Sequence, residues 1–112
     1  MQTTMQIRHF NLYWADLNPT IGREQAGHRP VLVVSNDIEN QMEIVTVIPV
    51  TSRKEGRRIY PNEVLFTLHG KEAILLCHQV RTISKRRLDR RMTTLEQRLQ
   101  QRVLDVLCMR FH

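Results

Sequence analysis

The hydrophobic residues of this chain change period once, and the change splits it into a β-rich body and a helical end. Val31-Leu32-Val33-Val34 is apolar on both faces and β-branched, the mark of a short strand buried in a small barrel or sheet. Ile44–Val50 is a second such strand, and it should finish or bulge near Pro49, which cannot donate to a ladder, leaving Thr51 exposed at its end. Tyr13–Leu17 reads as a first strand stopped by the turn signal Asn18-Pro19-Thr20, with a polar loop over Ile21–His28. Asn36–Gln41 is a polar connection and Arg53–Arg58 a charged loop. Glu63–Leu68 alternates as a half-exposed strand, His69-Gly70 turns, and Ala73–Cys77 and Val80–Ile83 read as paired final strands. From Thr93 onward Leu95, Leu99, Val103, Val106 and Leu107 fall at helical spacing, and Thr93 with Glu96 has the form of a capping box. Some five short strands closed by an amphipathic helix, without βαβ rhythm or repeat, predict an all-β barrel with helical additions.

A chain of 112 residues has room for one core, so residues 1–112 are expected to form a single domain. Its apolar runs are far shorter than the ~20 residues of a membrane span, and the start, Met1–Arg8, has no apolar leader stretch. Cys77 and Cys108 stand in no metal-ligand spacing and read as core filler. The expectation is a soluble cytoplasmic protein with no cofactor and no metal.

Charge narrows the partner. The formal net charge is +6, and of 17 Lys and Arg residues 14 are Arg. A guanidinium can grip a phosphate through two parallel hydrogen bonds and stack on a base, so the composition suits a polyanion binder, although solubility alone could explain the excess.

Three blocks then point to one family. They are Leu12–Thr20 followed by Gly22-Arg23-Glu24-Gln25-Ala26-Gly27-His28-Arg29-Pro30-Val31; Val47-Ile48-Pro49-Val50-Thr51-Ser52; and His78-Gln79-Val80-Arg81-Thr82-Ile83 with Lys85–Leu88 behind it. In this order they resemble the signature of the MazF/PemK/Kid toxins, the mRNA interferases of type II toxin–antitoxin systems. The resemblance implies a mainly β, SH3-like small barrel of five to seven strands with a C-terminal helix and short helical insertions. It also implies a homodimer that cuts single-stranded RNA without metal and is held inactive by an acidic antitoxin. The chain departs from the family in having Phe10-Asn11 where Gly and an acidic residue usually open the first strand, and Arg23 where Ser or His is common.

Metal-free RNA cleavage uses the neighbouring 2′-hydroxyl as nucleophile, so a site must supply cationic stabilisation, proton transfer and a substrate clamp. Arg29 matches the family's catalytic arginine, its bland alternative being a salt bridge to Glu24. Thr51 matches the family's threonine or serine that would hydrogen-bond the scissile phosphate or orient Arg29, although a threonine at a strand end is otherwise commonplace. His78 stands where some relatives carry a proton-transferring carboxylate, and imidazoles in general titrate near pH 6.5, where either acid or base work is open to them. A buried structural histidine is the equal alternative, and His28 is a weaker candidate for the same work. Arg23, Glu24, Gln25, His28, Arg53, Lys54, Arg57, Arg58, Gln79 and Arg81 are the expected RNA contacts, and the run Lys85–Arg91 reads mainly as a solvated face. Phosphate contacts choose no sequence, so base reading would come from polar groups such as Gln25, Gln79 or Asn36 and from loop shape; Tyr13 and Trp14 are expected to straddle the core, so an aromatic stacking platform is not expected. Two other readings stay open: a gyrase-binding toxin of the CcdB type, against which the ending Met109-Arg110-Phe111-His112 counts, and an SH3-like RNA-binding module without catalysis.

Overall fold

Strand β3 (Ile44–Ser52) is the axis of the fold, and its neighbours are set by which way its amides point. The structure, a computed structural model, describes residues 5–22 and 24–112. Around β3 lie β1 (Asn11–Asp16), β2 (His28–Val33), β4 (Glu63–Leu68), β5 (Lys71–Leu76), β6 (Arg81–Ser84) and β7 (Leu88–Thr94), followed by helix α1 (Gln97–Met109). Short 3-10 turns occupy Glu39–Gln41, Cys77–Gln79 and Lys85–Arg87. All pairings are antiparallel, the sheet runs β4-β5-β3-β2-β1-β7 without closing on itself, and β6 adds to β3. The expected mainly β architecture with a C-terminal helix and short helical insertions is therefore present.

Three expectations need correction. β3 does not finish at Pro49 but runs on to Ser52. Val34 N donates to Thr46 O, which fixes the phase of the ladder: even-numbered residues of β3 face β2, and odd-numbered ones face the other edge. On that other edge β6 pairs as far as Val47 and β5 begins at Val50, so the missing N–H of Pro49 falls in the gap between them and costs no ladder bond. For the same reason Ala73–Cys77 and Val80–Ile83 do not pair with each other; β5 and β6 lie one after the other along β3, separated by the turn at Cys77–Gln79. Finally, the helical stretch does not start at Thr93: Leu88–Thr94 is a strand on β1, and α1 begins after Glu96 without a side-chain cap, so Thr93 is no capping residue.

Alternation along the central strands sends side chains to two faces. Leu12, Leu32, Ile48, Leu75 and Phe66 pack with Val103 and Val106 of α1, which confirms the helical spacing of those valines. Tyr13, Ala15, Val31, Val33, Val45, Val47 and Ile83 form the second cluster. Fully burying side chains of this size contributes about 1.5–3 kcal/mol each, which is what makes the two faces the main stabilising element. Cys77 is core as expected, its thiol pushed up to about 11 by burial, whereas Cys108 is exposed. No helix among the described residues is long and apolar enough to cross a membrane.

The connection between β3 and β4 is held from within. Glu63, 3% exposed at its side chain, receives Arg57 Nη1 and Nη2 at 2.9 and 2.8 Å and the amide of Tyr60 at 3.0 Å. Arg53 Nε adds a bond to Arg57 O at 2.9 Å. At the far end of β4, His69 and Gly70 both have positive φ, 50° and 79°, the geometry of a two-residue hairpin turn.

Candidate active site

The dipeptide Arg29-Pro30 builds the site. Pro30 would stand opposite Val50 in the next hydrogen-bonded pair of the β2–β3 ladder, but it has no N–H to give, so the Val50 carbonyl is left free where that ladder ends. Arg29 turns back and supplies that bond, Nη1 to Val50 O at 3.3 Å, while its Nε donates to Ala26 O at 2.7 Å. Two neutral carbonyls orient the guanidinium without neutralising it. The alternative pairing with Glu24 is not formed, because the Glu24 carboxylate accepts from Ile21 N at 2.8 Å within its own loop. Of the five N–H groups of a guanidinium, two are thus engaged with described residues and the others are left for a ligand.

That guanidinium opens on a cleft of about 640 Å³ which Thr51 also lines. His28, Ser52, His69 and Lys71 bring further polar groups, and Trp14, Pro30, Leu68 and Met92 form an apolar part of the wall. The His28 ring lies parallel to the Trp14 indole, centroids 5.1 Å apart and planes inclined by 8°, with Nε2 3.3 Å from Asp89 Oδ2. The volume is in the range of sites that bind molecules of nucleotide size. Trp14, His69, Lys71 and Met92 were not legible as cleft residues, since hairpin register and the unforeseen strand β7 bring them in; only Trp14's alternation with the fully buried Tyr13 hinted that its side chain turns away from that core.

His78 is not brought to this cleft. It lines a separate hollow with Arg57, Tyr60, Pro61, Asn62 and Glu63, and its Nδ1 is buried without a hydrogen-bond partner among the described residues. Its neighbour Gln79 turns the other way, its Oε1 accepting from Gln25 N at 2.9 Å, and so ties the third sequence block to the Arg29 loop. Arg81 is half-buried, and its Nη1 likewise lacks a partner among the described residues. Arg53 is paired with Glu72 at 3.1 Å and Arg57 is committed to Glu63, while Arg58 lies over the Tyr60 ring and Lys54 is exposed. Arg23 falls outside the described residues.

A small open β sheet thus presents on one cleft a hydroxyl and a guanidinium that no carboxylate among the described residues offsets, donors of the type that suit an anion. The sequence profile of the PemK-like, MazF-like toxins of type II toxin–antitoxin systems matches residues 8–111, and the chain belongs to that family. It is 32% identical over 107 residues to endoribonuclease EndoA of Bacillus subtilis, covering 92% of either chain. The crystal structure of MazF from Deinococcus radiodurans superposes with a TM-score of 0.83 at 27% identity, covering 96% of this chain and 98% of that one. A MazE–MazF structure from the same organism aligns at 0.76 and 28% identity, covering 96% and 97%.

Proposed function

We propose that this chain is the ribonuclease toxin of a type II toxin–antitoxin pair, a metal-independent, sequence-specific endoribonuclease acting on single-stranded RNA. The observation that carries the reading is the placement of Arg29 and Thr51 on one cleft, the arginine held by two carbonyls and not by a carboxylate. The kinship with an endoribonuclease and with MazF supports it.

In the proposed reaction the 2′-hydroxyl loses its proton to a base and its oxygen attacks phosphorus. Charge gathers on the non-bridging oxygens, where Arg29 stabilises it and Thr51 donates a hydrogen bond. The P–O5′ bond breaks, O5′ takes up a proton, and the products are a 2′,3′-cyclic phosphate and a 5′-hydroxyl. Of the two imidazoles expected to move protons, His28 shares the cleft and is oriented by Asp89. His78 would join the reaction where an RNA strand or a second copy of the chain spans its hollow and the Arg29 cleft together. Gln25, Gln79, Lys54, Arg58 and Arg81 remain proposed RNA contacts, with Arg23 and Glu24 beside them, whereas Arg53 and Arg57 act by holding the loop. An acidic antitoxin segment would occupy the same basic surface by charge complementarity, and the existence of a MazE–MazF structure of the Deinococcus relative supports a protein partner.

Incubating the purified protein with a mixed RNA in EDTA and mapping both ends of each fragment tests the proposal. Cutting at one short recurring sequence, with cyclic-phosphate 3′ ends and 5′-hydroxyls, is the expected result. Intact RNA, or fragments with 5′-phosphates, would refute it.

A further inference from the structure

We infer that Trp14 is a stacking platform for a nucleobase beside the cleaved phosphate, an assignment that rests on the ribonuclease reading and goes beyond it to the way the strand is held. A phosphodiester by itself needs only charge and hydrogen-bond donors, and Arg29 and Thr51 provide those. Indole, proline, leucine and methionine side chains on the same cleft do nothing for a phosphate. They suit a flat apolar body of base size, placed next to the anion that the guanidinium holds.

The register shows how the platform is made. Trp14 pairs with Pro30 and Asp16 with His28, so the indole, the proline ring and the imidazole emerge on one face of the β1–β2 ribbon. On the opposite face of β1 Tyr13 is fully buried, while Trp14 is only half-buried and lines the cleft. The ring is packed on one side before any ligand arrives, because His28 lies parallel to it with Nε2 3.3 Å from Asp89 Oδ2. A pre-ordered aromatic surface loses little conformational entropy on binding, and every base has a π-face to offer it, so the platform grips without choosing. Sequence choice is left to the polar groups around the cleft, Ser52, His69 and Glu72 among them.

Trp14 is the only tryptophan of the chain, which makes the inference directly readable. The probe is a single-stranded 2′-O-methyl RNA pool of mixed sequence, about ten nucleotides long, which lacks the attacking hydroxyl. Its binding is followed both by anisotropy of a dye at its end and by the intrinsic fluorescence of the unaltered protein. Saturable quenching of Trp14 in step with binding is expected, as are binding weakened about 10- to 100-fold in Trp14→Ala and largely restored in Trp14→Phe. Binding with unchanged Trp14 fluorescence, or a folded Trp14→Ala that binds as tightly as the parent, overturns the platform while leaving the nuclease intact. A parent protein that neither binds the pool nor cuts ordinary RNA overturns both. The fluorescence arm needs no variant and holds even where Trp14→Ala does not fold.

Discussion

Arg29→Ala cuts RNA roughly 10²–10³-fold more slowly than the parent and unfolds at nearly the same temperature. The rate falls because the guanidinium is held at the cleft by two carbonyls and its charge is offset by no carboxylate among the described residues. Stability is largely kept because the carbonyls it leaves, those of Ala26 and Val50, lie in a loop and beside the cleft that Val50 lines, where water can replace the donor. Arg29→Lys recovers little, since an ammonium cannot hold both carbonyls and present further donors to a phosphate. Thr51→Val, which keeps the shape and removes the hydroxyl, has a smaller effect in the same direction. Initial rates on one defined RNA, measured beside melting curves, check all three; an Arg29→Ala protein as fast as the parent would remove Arg29 from the chemistry.

Arg57→Ala has the opposite profile. It lowers the thermal midpoint by about 5–10 °C, because the Glu63 carboxylate is left inside the fold with only the Tyr60 amide for company. Arg58→Ala, whose side chain is exposed over Tyr60, leaves the midpoint within a degree or two. The pair also predicts a pH dependence. Hydrogen bonding from Arg57, first among the causes, holds the Glu63 carboxyl below its ordinary value of 4.5. A carboxyl whose pKa is depressed in the folded state adds stability above its unfolded pKa and loses it as pH falls through the folded one. Acidification from neutrality to below pH 4 therefore destabilises the parent more than Arg57→Ala. Melting both proteins across that range decides the matter, and equal acid sensitivity would mean that Glu63 is not the group responsible.

The strands that the sequence made legible are those whose pattern is set by burial. Val31–Val34, the Val64-Phe66 alternation and the Leu95-Val103-Val106 spacing all face the two cores and carry their period openly. Strand β7 was hidden because Asp89, Arg90 and Arg91 are exposed on the edge of the sheet, and two register shifts against β1 break any alternation. Pro49 misled for a different reason: whether a proline stops a strand depends on what faces its nitrogen, and the hand-over from β6 to β5 is a tertiary fact. In the site, Arg29 and Thr51 were readable through the resemblance of their sequence blocks to the family, and the pairing of β2 with β3 is what brings the two onto one cleft. The burial of Glu63 had no signal in its own segment, and it is this acid that withdraws Arg57 from the set of free cations. Nothing local told His78 to face a hollow apart from Arg29; the 3-10 turn at Cys77–Gln79 sends adjacent side chains in different directions.

The central claim is that the substrate's own 2′-hydroxyl is the nucleophile at a phosphate held by Arg29. Once the cut sequence is mapped, a single 2′-deoxy substitution on the ribose preceding the cut decides it. The account predicts that this RNA binds like the unmodified strand and is not cleaved at that bond, while neighbouring deoxy substitutions are cut. Cleavage of the deoxy-substituted bond at the normal rate would contradict it.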